Sequence, residues 1–542
     1  MDQFTEDEKE ILKPFFTNLD KPIFALVNLP EVVKGALFSR YSRSAKSLRK
    51  ILLDEFIKAP EMGFKEIVGF QTGQGVNQLV AIQKAEEFYD RVLVGYGDDS
   101  VAELGGASIA VEDVSNICSK VLEDARIGLS PLEKSTRYVF FNDKVDGKFR
   151  YYRDSEIMNS KFADLFVQTC DMLFETYGRL NEPMTKWVVE RFPKGEEVSD
   201  RAYNASVRSK VLDILRNLLP AATLTNVGIF GNGRGFEYLI TKMYAHQLRE
   251  MRDVAEQMRV ELSKVIPSFV KRANDRYGLE SQKFMSETRE GTKKITEEFL
   301  SGIKSDPVEP VELVKWDSEA EAETKVIAAI MYQYSQLPMR QLLDVASKMP
   351  EENRKKILHE FLSRRSNRRN KPGRAFENVH YTFDILGNYG MFRELHRHRM
   401  LTQERQDLTV KHGYDTPKEI IQTGFQKEYD EAMKAAADAF EKISAAFPKQ
   451  AQYIVPMGFR IRWYFTMSLR EVYYLTELRT TPQGHPDYRR VAQMIFQKAR
   501  EVHPNLMEFA KFVDMKDYPL ERLASEMQTD KKIEELKKKY GS

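Results

Sequence analysis

The sequence predicts an α+β protein built from two tandem copies of one domain, and three observations carry that reading. Landmark residues recur at fixed spacing, long helical stretches dominate, and shorter β-branched or aromatic runs lie between them. The repeat is plainest where Leu219–Leu239, LPAATLTNVGIFGNGRGFEYL, aligns without a gap on Val455–Leu475, VPMGFRIRWYFTMSLREVYYL. Pro220, Arg234, Tyr238 and Leu239 stand opposite Pro456, Arg470, Tyr474 and Leu475 at an offset of 236. Upstream, SVAELGGASIAVED from Ser100 echoes RAFENVHYTFDILG from Arg374, with Glu103 opposite Glu377 at an offset of 274. The difference of 38 puts extra residues in the first copy, between about 140 and 215.

The first copy is expected over 20–300 and the second over 307–542. The seam is Ser301–Pro310, SGIKSDPVEP, where two prolines and Gly302 interrupt charged, helix-like sequence. In chain order, Tyr138–Phe141 reads as a strand and FADLFVQTCDMLFETY as a helix carrying Cys170 at helical spacing with Leu165, Phe166 and Phe174. Lys242–Val265 reads as helix. VELVKWDSEAEAETKVIAAIMY then reads as strand, polar turn and amphipathic helix, and His380–Ile385 as strand. Pro417–Ala445 and Pro486–Val502 are helical, and KKIEELKKKYGS is expected to be a frayed, solvated helix.

Composition narrows the function classes. The 542 residues carry 83 Lys+Arg against 81 Asp+Glu, with 42% hydrophobic and 30% charged residues, the balance of a globular protein. A net charge of +2 argues against a dedicated nucleic-acid coat, so nucleic acid is not an expected partner. No secretory leader or run of about 18 apolar residues is present, and the two cysteines make no CxxC, so a cytoplasmic location without a membrane partner is expected. No GxGxxG, P-loop or zinc spacing occurs, and no metal site is expected.

Three constellations could carry chemistry. Arg397-His398-Arg399, in GMFRELHRHRMLTQERQ, sits where a helix approaches its end; successive residues point about 100° apart, so the arginines straddle the histidine. They could grip different parts of one ligand, or form a solvated basic face paired to Glu394 and Glu404. Glu133, Ser135 and Arg137, in SPLEKSTRYVFF, would share one face of an extended strand, either as a polar ligand site or as an edge strand. Arg216, Arg234, Arg470 and Arg479 cluster around the repeated prolines. Apart from these, Arg364, Arg365, Arg368, Arg369, Lys371 and Arg374 form a basic loop that could touch RNA or a dinucleotide phosphate, but reads first as a solvated face.

Taken together, these pieces resemble the flavin-dependent thymidylate synthases. That family's signature joins RHR to a later Ser-x-Arg, preceded by a Glu-containing segment and followed by a proline, an Asn-x-Arg helix and a final arginine. The second copy has Glu377, then Arg397-His398-Arg399 and Met400-Leu401-Thr402, but Gln403–Thr409 where Ser-x-Arg should fall. The first copy has Ser100, Glu103, Ser130, Ser135, Arg137, Arg216, Asn232 and Arg234, but Glu123-Asp124-Ala125-Arg126 near the RHR position. Gln452 replaces the equivalent of Arg216, and Ser468 that of Asn232. Each copy lacks what the other keeps.

The resemblance implies a twisted, mainly antiparallel sheet with long helices in each copy. It implies an FAD enzyme that methylates dUMP to dTMP with methylenetetrahydrofolate and NADPH, at a site shared between copies. Glu133, Ser135, Arg137, Arg216, Arg397 and Arg479 would bind nucleotide, with Arg397 and Arg479 catalytic. Arg397, His398, Arg399, Glu377, Arg470, Ser100, Glu103, Asn232 and Arg234 would hold flavin. A homodimer would then imitate the family's tetramer, with half as many working sites as domain copies. The alternatives are flavin-dependent methylation of another pyrimidine nucleotide or of a uridine in RNA, and a degenerate, non-catalytic nucleotide-binding homologue.

Overall fold

The computed structural model describes residues 3–58, 102–125 and 127–541. It forms two compact units, one of residues 1–134 with 225–303 and the other of 135–224 with 304–542. Ser100 and Arg126 lie outside the described residues.

Unit one carries a three-stranded sheet in the order β1–β3–β2, of β1 (Gly106–Ser115), β2 (Leu129–Glu133) and β3 (Leu224–Asn232). Ser115 caps helix α1 (Asn116–Asp124), and Asn232 caps α2 (Gly233–Tyr244) by accepting from Gly235 N. Both are short polar side chains suited to the first orphan amides of a helix. Helix α3 (Arg249–Leu262) follows a break at Ala245–Leu248, so the helix expected over Lys242–Val265 is in fact two. Arg252 donates to the His246 and Gln247 carbonyls of the turn.

Unit two carries a four-stranded antiparallel sheet in the order β4–β5–β7–β6. Its strands are β4 (Val311–Lys315), β5 (His380–Asn388), β6 (Leu401–Arg405) and β7 (Arg460–Ser468). Along β7, Ile461, Trp463, Phe465 and Met467 are buried and alternate with more accessible residues, the mark of a sheet with one face on the core. Asn388 caps α4 (Tyr389–Leu395) and Ser468 caps α5 (Leu469–Arg479); α6 (Pro486–Val502) follows, as expected. The Pro417–Ala445 stretch breaks into Lys418–Gln422 and Gln426–Ser444 at Gly424, whose φ of 79° lies in the left-handed region.

The duplication is written into the hydrogen bonding. Leu129 pairs with Gly231 as Leu401 pairs with Met467, so the 236-residue offset relates the two central strands residue by residue. Pro220 and Pro456 themselves form an antiparallel bridge inside unit two. Ala221 N donates to Val455 O and Met457 N to Leu219 O, both at 2.9 Å; Ala222 N donates to Tyr453 O at 2.8 Å and Gly458 N to Asn217 O at 2.9 Å. Each bond maps onto its counterpart when 236 is added to the donor's number and taken from the acceptor's, or the reverse, the pattern of an isologous contact about a local two-fold.

Two local expectations change. β2 ends at Glu133, and residues 136–138 form a turn, so Glu133, Ser135 and Arg137 do not share a strand face and Tyr138–Phe141 is not a strand. Between β2 and Arg216 the first copy holds a small hairpin at 144–149 and helices Ala163–Arg179, Asn181–Arg191 and Asp200–Leu215. Cys170 is buried in the first of these helices, where burial pushes its thiol well up. No described helix is long and apolar enough to cross a membrane.

Candidate active site

The 135–224 segment of the first copy belongs to unit two, together with most of the second copy, and there the arginines of both converge. Arg137 lies in the turn after β2. Its guanidinium grips Asp213 with two parallel bonds, Nε to Oδ1 at 2.8 Å and Nη2 to Oδ2 at 2.6 Å, while Nη1 donates to Gln483 O at 3.0 Å. This fork geometry is the strong form of an arginine–carboxylate pair. Asp213 sits on helix Asp200–Leu215, and Arg216 caps that helix on the same face three residues on. Burial alone would raise the Asp213 carboxyl, but Arg137, with Arg216 beside it, holds it below its usual range.

Arg216 is 1% exposed, and none of its three guanidinium nitrogens donates a hydrogen bond to a described residue. Burial pulls its pKa down, against the attraction of Asp213, Glu394 and Asp487. Gly390, on the first turn of α4, lies against it: a Cβ there would sit in ordinary van der Waals contact with Arg216 Nε and Nη2, at 3.5 and 3.6 Å. Buried donors are nearly always satisfied, so a guanidinium in this state is poised for an acceptor.

Glu394, near the end of α4, is surrounded by the same arginines. Burial would raise its carboxyl, yet Arg397, Arg479, Arg216 and Arg137 outweigh that and hold it at about 2. Arg479 Nη1 lies 4.0 Å from a Glu394 oxygen. Four guanidinium groups thus face the three carboxylates Asp213, Glu394 and Asp487, leaving an excess of positive charge. A cavity of about 780 Å³ borders the cluster, lined in part by Asp213, Asn217, Met391, His485 and Asp487. His485 is buried, and burial together with Arg216 lowers its pKa, keeping it neutral.

The RHR triplet follows the end of α4. His398 is 2% exposed, with Nδ1 2.7 Å from Glu471 Oε1 and Nε2 accepting from Arg479 Nε at 2.9 Å. Arg397 is half-buried and Arg399 exposed.

A model of the family described as "Thymidylate synthase complementing protein" matches residues 60–268 and 312–505. The chain belongs to that family. It is 45% identical over 535 residues to a UPF0159 protein of Chlamydia pneumoniae, covering 98% of both chains. It is 35% identical over 523 residues to the UPF0159 protein Ta1429 of Thermoplasma acidophilum, covering 92% of this chain and 99% of that one. A flavin-dependent thymidylate synthase of Sulfurisphaera tokodaii is 26% identical over 149 residues, covering 25% of this chain and 56% of that one.

The other singled-out residues fall as follows. Glu133 is buried in unit one, where Ser119 Oγ donates to Oε1 at 2.8 Å and Lys120 Nζ to Oε2 at 2.8 Å; Lys120 also contacts Glu123. That ion network lies in the stretch leading to the first copy's missing RHR. Glu103 pairs with Arg234 at 2.8 Å in unit one, and Glu377 with Arg470 at 3.1 Å in unit two, the same bond in both copies. Arg470 Nε also donates to Pro372 O at 2.8 Å. Asn232 Oδ1 is taken by its capping role. Ser135 lies beside Arg137, whose amide donates to its hydroxyl at 3.2 Å. At the counterpart of Arg216, Gln452 Oε1 accepts from Leu408 N at 2.9 Å, a neutral structural bond in place of a cation. Of the basic loop, Arg365 is no part of a solvated face. It is buried, paired to Glu477 through Nη1 at 3.0 Å and Nη2 at 2.6 Å.

Sequence reasoning did not single out Asp213, His485 or Glu471. Asp213 carried a signal, since it stands one helical turn before Arg216. Glu394 stands in the same relation to Arg397. His485 and Glu471 carried none beyond their types.

Proposed function

We propose that this protein is a flavin-dependent thymidylate synthase-like enzyme that methylates dUMP at C5, with one working site per chain. The observation that carries the reading is the convergence of Arg137 and Arg216, from the first copy, on Glu394, Arg397 and Arg479, from the second. The counterpart positions support it from the other side. Gln452 holds Leu408, and the first copy reads Glu123-Asp124-Ala125-Arg126 near the place of the triplet, so the second composite has neither its phosphate arginine nor its RHR.

Arg216 is assigned to the substrate phosphate: it is a buried cation whose donors lack acceptors, and the cluster's surplus positive charge suits a phosphate dianion. Arg397 and Arg479 are assigned to the uracil oxygens, where negative charge grows as the ring accepts a carbon at C5. Preorganised donors of this kind contribute about 3–4 kcal/mol apiece. Asp213 holds the Arg137 guanidinium in a fixed direction before substrate arrives, and Glu394 supplies the counter-charge among Arg397, Arg479, Arg216 and Arg137.

The residues present fit a dinucleotide cofactor by donor chemistry. Arg399 is exposed and Arg397 half-buried beside it, and Arg470 is oriented by Glu377 and the Pro372 carbonyl. FAD would be held by Arg397, Arg399 and Arg470 in unit two. Reduced flavin supplies the hydride, with methylenetetrahydrofolate as carbon donor and NADPH as electron source. A homodimer arranged as a pseudo-tetramer is the proposed assembly. An absorbance spectrum of the purified protein, before and after adding FAD and then dUMP, tests the reading. A flavin spectrum that shifts with dUMP is expected, and a protein that takes up no FAD would refute it.

A further inference from the structure

Glu471 lies in the first turn of α5 and Arg479 is its last residue, about 12 Å apart along the axis. They are connected all the same, because His398 stands between them. Its Nδ1 lies 2.7 Å from Glu471 Oε1, and Arg479 Nε donates to its Nε2 at 2.9 Å. An arginine Nε–H can only donate, so Nε2 must present a lone pair. The ring is therefore neutral, with its proton on Nδ1 and donated to the carboxylate. Tyr474 packs edge-on against the ring, with centroids 5.5 Å apart, and the imidazole is nearly sealed from water.

We propose that Glu471 and His398 are positioning residues that aim the Arg479 guanidinium, and that the pair releases Arg479 when it takes up a proton. Arg479's contact with substrate rests on the function proposed above; the relay itself does not. The argument is one of proton placement. If the added proton makes the ring an imidazolium, Nε2 carries hydrogen. If it makes Glu471 an acid that donates to Nδ1, the ring's own proton moves to Nε2. In both arrangements an N–H on the ring faces the N–H of Arg479, and the bond is lost; a proton held on the other oxygen of Glu471, with Oε1 still accepting from Nδ1–H, would keep Nε2 bare and is the outcome that overturns the relay.

The surroundings place this event near neutrality. Burial raises the Glu471 carboxyl to about 7, against the pull of Lys371 in the basic loop and of Arg470 and Arg479 on its own helix. From α4, Glu394 faces Arg479 at 4.0 Å and offers the freed guanidinium an alternative partner. Both ring nitrogens of His398 are thus engaged within the protein, which gives the central residue of the RHR triplet an orienting task in this chain.

The test reads the ring directly. The protein is labelled with ¹⁵N-histidine, the His398 signals are assigned with His398→Gln, and spectra are followed from about pH 8.5 to about pH 5.5. At the high end Nδ1 is expected as the protonated nitrogen and Nε2 as the bare one, with Nε2 gaining its proton on passing through neutrality. Glu471→Gln, which still offers an oxygen to Nδ1–H but does not titrate, is expected to keep the high-pH signature throughout. In parallel, wild-type dUMP affinity should fall on acidification by about tenfold more than that of Glu471→Gln, the worth of one charge-assisted hydrogen bond. An Nε2–H tautomer at high pH, an Nε2 that stays bare across the range, or identical titration in the variant would overturn the relay. A protein with the expected titration that binds no dUMP would keep the relay and refute the proposed function.

Discussion

Replacing Arg216 with Met separates what this side chain does for the fold from what it does for a ligand. The guanidinium is 1% exposed and makes no hydrogen bond to a described residue, so the folded state carries the desolvation of a cation without the usual compensation. Its favourable interactions are Coulombic, with Asp213, Glu394 and Asp487. Those carboxylates keep other partners in the variant. Asp213 retains the two-pronged contact with Arg137, and Glu394 retains Arg397, Arg479 and Arg137. Met fills much of the same volume with apolar atoms, and exchanging a buried charge for a well-packed hydrophobe is often neutral or stabilising by about 1–4 kcal/mol. Arg216→Met should therefore leave the free protein as stable as wild type or more so by about 1–3 kcal/mol. That corresponds to a melting point raised by at most a few degrees in a unit of this size. The same change should abolish the upward shift in melting temperature that dUMP gives the wild type. Differential scanning fluorimetry with and without dUMP reads both arms. A variant that melts well below wild type, or that keeps its dUMP shift, would refute the assignment of Arg216 to a substrate anion.

Three further outcomes are expected. Glu133→Ala should destabilise the protein by about 3 kcal/mol in urea unfolding, because Lys120 loses one of two buried partners, yet leave the dUMP affinity of the folded protein unchanged. Glu394 is held at about 2 against an ordinary 4.5, a difference of about 3 kcal/mol that is present above pH 4.5 and lost as pH falls through 2. Glu394→Gln should therefore flatten the acid limb of the stability profile over that window. Arg399→Ala, an exposed change, should leave the melting curve alone and reduce FAD uptake measured by absorbance; unaltered uptake would remove Arg399 from the flavin site.

The duplication was legible because it rests on residues whose roles are local. Pro220 and Pro456 break helices wherever they stand, and Asn232 and Ser468 cap the helix that follows each central strand, so both survive as a spacing of 236. The expected strand face of Glu133, Ser135 and Arg137 failed for a physical reason. Alternation predicts a face only while the strand lasts, and this one ends at Glu133, whose carboxylate neutralises the buried Lys120 instead. The arginines of the candidate site were visible as types, but their states were not. Sequence alone does not reveal that Arg137 is clamped by Asp213, that Arg216 lies beneath Gly390, or that His398 has both nitrogens engaged. Those facts depend on contacts between residues hundreds of positions apart, such as Arg137 with the Gln483 carbonyl.

The central claim is that two incomplete copies make one complete site. Isothermal titration of the FAD-loaded protein with dUMP tests it most directly, through the number of sites per chain. One nucleotide bound per chain is the result this account predicts. Two per chain would mean that the Gln452 side also binds and that the copies have not specialised, and no binding at all would contradict the site itself.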